Sequence, residues 1–525
     1  MERDCLAPVI DYAFLSDPGF PETWIVTDDG KVRFWTEGEA DGLIARRREQ
    51  MLPEVFRIAG VESLTRRWRR EFLPILELGE KYVLFARERE LWVREGERCM
   101  RYPSGEEISP DAFERAAAAL ERHWENWISA GTVLPPISPA LDGAWRMSLI
   151  HSLCAFVGRH PKYGVEKYGE FRADGFPPAM IAMCGTLLDF GHVEEARELF
   201  AFYLDRFVRS DGTIDYYGTS LSEYGMLLDL AASLTVPEGG QEWFMRIRVF
   251  LKRLWHFLAD MMNPWMHEPG SPYHLPCGSP EADRRRDRGE YFHNAAWMWR
   301  GLVSLAEKTG AWMEPEERFE LEHLAGVLKR RLDRAWRERR QALGGFPPYS
   351  VAQSEPFDDC GTSVERAYAN YRYYPEMLSS GAFDREAMLA VIEVRERCRG
   401  EVSGMTRLYW PEAVCEVADH WTVCAYARGL LECGEKERFM ALLRSHLLDY
   451  ISPDLFYAYE TVTVAGSPRR AWSDWCVPAQ LALPRILLWS FSYTARDGKE
   501  LRWGGPAPGD VARFAARRGS LLLSR

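Results

Sequence analysis

Glu460 sits among aromatic side chains in Leu455-Phe456-Tyr457-Ala458-Tyr459-Glu460-Thr461, and further acids stand in Gly278-Ser279-Pro280-Glu281-Ala282-Asp283 and at Asp287. A carboxylic acid held in apolar surroundings keeps its proton to higher pH. One such group can therefore donate a proton while a second carboxylate activates water or attacks. Carboxylates placed in this way on either side of a cleft are the equipment of glycoside hydrolysis. Asp283, Glu281 and Asp287 are candidate acids on this reading, and Glu460 is the candidate base. The competing account of the first group is a solvated ion-pair cluster, because Arg284, Arg285 and Arg286 adjoin it.

Arg172 and Asp174 lie two apart before a predicted helix. A guanidinium donates and a carboxylate accepts, so the two can fork around neighbouring sugar hydroxyls, or Asp174 can simply cap the helix with Arg172 as its partner. Trp265 and Trp410 offer faces that could stack on a sugar ring. Asp474, in Trp472-Ser473-Asp474-Trp475, is read either as a further hydroxyl contact or as a helix cap. Glu355, Asp358 and Asp359 read as acids lining the cleft or as a turn and cap, and Asp419-His420 as sugar contacts or a core pair. His267 and His274 lack the spacing of a helical metal site, and no H-E-x-x-H, G-x-S-x-G or phosphate loop is present. Neither metal nor cofactor is expected.

These residues need elements to hold them. Over residues ~138 to 496 apolar positions recur at helical spacing in about twelve segments, and the connections between them alternate in length. Those near 160–173, 263–289, 341–361, 398–412 and 450–471 are long and carry the acids and aromatics, whereas those near 191–193, 311–314, 379–382 and 433–434 are short. Two concentric rings of helices joined alternately at their two ends produce this rhythm. The long connections then gather over one mouth. The predicted fold is mainly α, an (α/α)6 toroid with a small N-terminal β-sandwich-like domain. An open solenoid is the alternative, although no sequence signature repeats between the pairs.

Trp24-Ile25-Val26 and Val32-Arg33-Phe34-Trp35 flank the turn Asp28-Asp29-Gly30, and Tyr82 to Phe85 with Leu91 to Val93 predicts a second hairpin. The expected organisation is a β-rich unit over 1–110, a linker helix within 111–137, the toroid over 138–496 and a strand and tail over 497–525, where the Gly/Pro-rich run Gly504 to Gly509 reads as a turn.

A formal net charge of −12 disfavours nucleic acid as partner, since phosphates call for a basic face. The 20 tryptophans suit aromatic grooves as well as cores. Eleven cysteines without a C-x-x-C pair indicate neither a disulfide framework nor a thiolate zinc site. No apolar stretch reaches membrane-spanning length, no secretory signal opens the chain, and a cytoplasmic location is expected.

The order of β domain, linker helix, twelve helices and terminal strand resembles the six-hairpin glycosidases, glucoamylases and their bacterial relatives in particular, over most of the chain. The resemblance implies a carbohydrate substrate and an inverting hydrolysis. It also implies that Arg172 and Asp174-Gly175, with one inserted residue, bind the sugar being cleaved, that Glu460 is the base, and that the acid lies in the connection between the fifth and sixth helices. There the family's paired glutamates are absent. Asp283 ranks first because its loop resembles that of relatives.

Two other classes fit a toroid. A sugar epimerase or polysaccharide lyase would set two histidines, from His293 and His420 with Tyr373 nearby, across the cavity. A non-catalytic carbohydrate-binding or scaffold protein would have its cleft acids neutralised by Arg284, Arg285 or Arg286.

Overall fold

The computed structural model describes the strands at 23–26, 32–35, 66–68, 76–78 and 82–87 and residues 90–102, 106–156, 159–164, 175–216, 220–263, 271–282, 284, 286–413, 415–451, 458–464 and 475–523. Strands β1 (Thr23–Val26) and β2 (Val32–Trp35) pair antiparallel with Trp24 opposite Phe34. A six-stranded antiparallel meander follows: β3 (Arg66–Trp68), β4 (Leu76–Leu78), β5 (Tyr82–Arg87), β6 (Glu90–Glu95), β7 (Arg98–Tyr102) and β8 (Glu106–Ile108). Both expected hairpins are present, the second with Phe85 opposite Trp92.

The linker helix α1 (Pro110–Ala130) starts on Ser109, whose hydroxyl accepts the Ala112 N–H, with Pro110 at the first position where no N–H is required. Its buried stripe of Phe113, Ala117, Leu120, Trp124 and Ile128 faces the sheet and the helical body.

The helices after it are α2 (Pro139–Cys154), α3 (Pro177–Asp189), α4 (Val193–Phe207), α5 (Leu221–Leu234), α6 (Gly240–Met261), α7 (Phe292–Thr309), α8 (Pro315–Ala342), α9 (Val364–Tyr368), α10 (Tyr374–Ser380), α11 (Arg385–Arg397), α12 (Val423–Glu432), α13 (Lys436–Ser445) and α14 (Val477–Phe491). Six of them close a ring: α3 packs on α5, α5 on α7, α7 on α10, α10 on α12, α12 on α14, and α14 returns to α3. The partners α4, α6, α8, α11, α13 and α2 lie outside. The fold is thus mainly α and an (α/α)6 toroid. Inner helices such as α5 and α14 are buried almost all round, whereas the outer α6 and α8 bury one stripe, as their position in two layers requires.

The tightest inner contact, α5 against α7, depends on two glycines. A Cβ on Gly225 would lie 2.0 Å from the Trp297 carbonyl oxygen, and one on Gly301 would lie 2.5 Å from that of Gly225. The two backbones therefore touch.

Three details differ from the sequence reading. After the short antiparallel pair β9 (Cys277–Gly278) and β10 (Gly289–Glu290), the helix expected from about 413 begins at Val423, because Val417–Asp419 is strand β13 of a four-stranded antiparallel sheet that also holds β11 (Glu401–Val402), β12 (Met405–Leu408) and β14 (Thr461–Thr463). Two long connections thus share one sheet. Second, α9 and α10 are joined through a π-helical turn, Ala369–Tyr373. Pro375 has no N–H to donate to the Tyr371 carbonyl, which instead accepts the Thr422 hydroxyl at 2.8 Å. Third, after the short pair Tyr493–Thr494 and Glu500–Leu501, the expected tail is helix α15 (Pro508–Leu523), packed on α2 and on the π turn His446–Tyr450. Pro508 sits at its start, so the Gly/Pro-rich run ahead of it read as a turn.

Candidate active site at the mouth of the toroid

Every inner helix begins after a long connection, so the six N-termini ring one end. Aromatic side chains from four connections meet there. Trp421 stacks on Tyr371 (centroids 5.6 Å apart) and on Phe176 (6.1 Å), and Phe176 contacts Tyr163 and Tyr216.

Beneath them lies a buried charge cluster. Ser220-Leu221-Ser222-Glu223 is a capping box at the start of α5, in which the Glu223 carboxylate accepts the Ser220 N–H. The same carboxylate receives Arg372 Nη2 at 2.6 Å, and Arg372 Nε donates to Glu376 at 2.7 Å. Arg372 Nη1 lies 3.4 Å from Glu281 Oε2, and its guanidinium packs under the Trp421 ring. One guanidinium thus serves three carboxyls, and all four side chains are buried. Burial pushes Glu223 up to about 7 against the pull of Arg372, and it raises Glu376 for the same reason. Burial opposes the charge of Arg372 as well, yet Glu376, Glu223 and Glu281 together hold the guanidinium firmly protonated. Three formal negatives against one positive leave a cluster that is satisfied most easily by keeping a proton.

The sheet of the two long connections places a second acidic group. Asp419 ends β13 opposite Thr461, next to Glu460, whose backbone carbonyl accepts the His420 N–H at 2.9 Å. The Asp419 carboxylate accepts the N–H groups of Trp421 and Thr422 and lies 2.8 Å from the Thr422 hydroxyl oxygen, which ties it to the start of α12. Burial lifts it to about 7 despite those bonds, and the nearby Glu460 adds to the rise. Glu460 is half-buried and accepts the Tyr163 hydroxyl at 3.1 Å. Between the two groups stands Tyr371, whose hydroxyl is driven well above its ordinary range by burial and then by Asp419, Glu281 and Glu460.

Of the residues singled out in sequence, Glu281 and Glu460 converge on Tyr371. Asp287 is exposed and paired with Arg284, which also holds Glu365 at 2.6 Å. This is the solvated ion pair that its arginine neighbour suggested. Asp283, Arg172, Asp174, Trp265 and Asp474 lie outside the described residues. Trp410 is half-buried in the connection after β12. Asp359 caps the short turn Cys360–Thr362, and Glu355 pairs with Arg366.

The two histidines proposed for proton abstraction are packed away. His293 stacks face to face with Tyr373 at 4.5 Å, lies 3.1 Å from the Pro280 carbonyl oxygen and is pushed down to about 3 by burial. His420 packs on His446 and Tyr450. Asp419 and His420 therefore form no core pair with each other. Arg286 is exposed, so among the described residues the arginine within the acid cluster is Arg372, outnumbered by its carboxyls.

Sequence reasoning missed Glu223, Glu376 and Arg372. Ser220-x-x-Glu223 was legible as a cap. An arginine inside Tyr371-Arg372-Tyr373-Tyr374 was the remaining signal, a charge where the pattern is otherwise apolar.

No protein-family model matches the chain, and no curated protein matches its sequence. Among solved structures, a wild-type glycosidase aligns over 72% of this chain and 97% of its own, at 12% identity and a TM-score of 0.38. A glycosidase in complex with glucose aligns over the same 72% and 97%, at 12% identity and 0.37. A bacterial glucoamylase complexed with acarbose aligns over 77% of this chain and 63% of its own, at 10% identity and 0.45.

Proposed function

We propose that the protein is a glycoside hydrolase acting at the toroid mouth, with Glu460 as the base and an acid from the 281–287 connection as proton donor. One observation carries this reading: Glu281, reached by Arg372 beneath the Trp421 ring, and Glu460, bonded by Tyr163 where that ring meets Phe176, come from connections far apart in sequence to a single aromatic-lined mouth. Aromatic faces suit the apolar faces of sugar rings, and carboxylates on either side suit proton donation and water activation. Glu281 is the donor favoured by its burial, with Asp283 two residues on as its rival. The exposure of Asp287 and its pairing with Arg284 suit a surface role. Trp410, Arg172, Asp174, Trp265 and Asp474 are proposed to contact sugar. Inversion is the expected outcome, with the two carboxyl groups roughly 6.5–9.5 Å apart to admit a water.

The test is a screen of aryl glycosides and natural oligosaccharides with wild type, Glu460→Gln, Glu281→Gln and Asp283→Asn. Glu460→Gln should lower kcat by roughly 10²–10⁴ with thermal unfolding unchanged. Loss of the true donor should harm natural glycosides far more than aryl glycosides, whose leaving groups need little protonation. NMR of the first-formed anomer reads the stereochemistry. Unchanged turnover in Glu460→Gln removes that residue from the mechanism.

A further inference from the structure

A cavity of about 230 Å³ runs down the toroid axis from beneath the mouth, where Arg372, Glu376 and Trp421 form its upper wall, to the opposite end of the ring. The lower end is built differently from the mouth. Arg428, Arg485, Asp189, Asp229 and Ser233 line it, among the apolar side chains of Ile181, Leu188, Leu230, Leu481 and Trp489.

Around it, five cationic side chains, Arg300, Lys308, Arg428, Arg485 and Arg496, face three carboxylates, and each carboxylate is already engaged. Asp189 accepts Arg485 Nε at 2.8 Å, Asp229 accepts the Ser304 hydroxyl, and Glu432 accepts the Tyr493 hydroxyl at 2.5 Å. Arg300 donates to the carbonyls of Ser380 and Gly381, and Lys308 to the Ser233 hydroxyl at 3.0 Å. Two guanidinium groups remain. Arg428, on the cavity wall, rests on the Trp489 ring (5.5 Å) and Arg496 on that of Trp297 (5.8 Å), and the buried Nη1 of Arg496 has no hydrogen-bond partner among the described residues. Burial lowers Arg496 to about 10 against the pull of Asp229, with Arg300 and Arg428 adding to the fall, whereas at Arg428 burial is outweighed by Tyr493, Asp189, Asp229 and Glu432, which raise it.

Guanidinium N–H groups that meet no acceptor are open to a ligand, and a guanidinium fork matches the two oxygens of a phosphate or carboxylate. The tryptophan faces hold both forks in place in advance. Lys308 is exposed and bonds to Ser233 on the cavity wall, which marks the side from which a solute reaches the arginines. The cavity exceeds one inorganic ion, whose share of volume is on the order of a few waters at about 30 Å³ each, so its apolar walls have room for a carbon skeleton.

We propose that the lower end of the axial cavity is a binding site for a small organic oxyanion, received by Arg428 with Arg496 behind it. The site is distinct from the acidic mouth and independent of its chemistry. A ligand there joins α12, α14 and the segment after α14 across the ring, so it stabilises the folded chain by mass action.

The full chain in chloride buffer is titrated by calorimetry and thermal unfolding with inorganic phosphate, glycerol 3-phosphate, acetate and glycerol. Wild type should be stabilised by the oxyanions, most by glycerol 3-phosphate, and not by glycerol; the acetate arm separates carboxylates from phosphates. Arg428→Met should bind glycerol 3-phosphate at least about tenfold more weakly, as loss of a charged fork implies. Its unfolding temperature should no longer rise with added glycerol 3-phosphate, a response that loss of a merely structural arginine would leave in place. If that variant does not fold, Arg428→Lys keeps the charge, loses the fork and should still weaken binding. Absence of binding of all three oxyanions to wild type, or equal affinity in wild type and the Arg428 variants, overturns the proposal.

Discussion

At one end of the ring the inner helices begin and acids collect; at the other they finish and bases collect. Glu223 stands in the first turn of α5 and Asp419 at the entrance to α12, whereas Lys308 lies in the closing turn of α7 and Arg428 in the second half of α12. Six aligned macrodipoles favour this polarity, since each helix start attracts negative charge and each helix end positive charge. The dipoles do not dictate what each end does with its surplus. At the mouth three carboxyls share Arg372, and the excess negative charge is relieved by a raised affinity for protons. At the lower end the excess charge sits on arginines, which do not give up protons in that way. The mouth can therefore exchange protons, and the lower end can only attract anions.

Breaking the mouth should have the largest effect. Arg372→Met strands three buried carboxyls and should cost about 3–5 kcal/mol at pH 8, read by urea unfolding, with partial recovery near pH 5 as the carboxyls take up protons. Full stability at pH 8 would mean that the cluster is already neutral.

Glu223→Gln sharpens the same point. Its folded carboxyl titrates near 7, above the ordinary 4.5, so the folded state holds the proton more tightly. That contribution is complete below about 4.5 and is lost as pH rises through about 7, a swing of up to roughly 3 kcal/mol. The variant should thus gain on wild type between pH 5 and pH 8. A difference between the two that does not vary with pH would deny Glu223 its proton.

At the lower end, Arg428→Met should abolish the rise in unfolding temperature that glycerol 3-phosphate gives wild type, whereas an undiminished rise would show that this guanidinium is not the receiver. The smallest effect belongs to the exposed pair. Asp287→Asn should change stability by no more than about 0.5 kcal/mol, and a larger loss in denaturant titration would move Asp287 out of the solvated class.

Much of the fold was legible because it is locally encoded. Asp28-Asp29-Gly30 between two apolar runs specified a hairpin, and the period of apolar residues specified the twelve helices. The misreadings arose where local pattern and tertiary pairing disagree. Val417-Ala418-Asp419 joined β14 across a gap of more than forty residues, so a segment read as the start of a helix became a strand. Pro508 opened a helix that a neighbouring Gly/Pro run disguised. At the site, Glu460 stood out because aromatics surround it in sequence. Glu223 did not, since Ser220-x-x-Glu223 has a complete local explanation as a cap.

The sequence by itself determined the helical rhythm, the ring that follows from it and the end at which its long connections gather, because periodicity and turn chemistry act over a few residues. Only the tertiary structure decided which charges share a site. Arg372 meets Glu281 across 91 positions and Glu223 across 149. Whether a carboxyl there keeps its proton, or a guanidinium nitrogen such as Nη1 of Arg496 goes without an acceptor among the described residues, depends on desolvation by neighbours that have no fixed spacing along the chain.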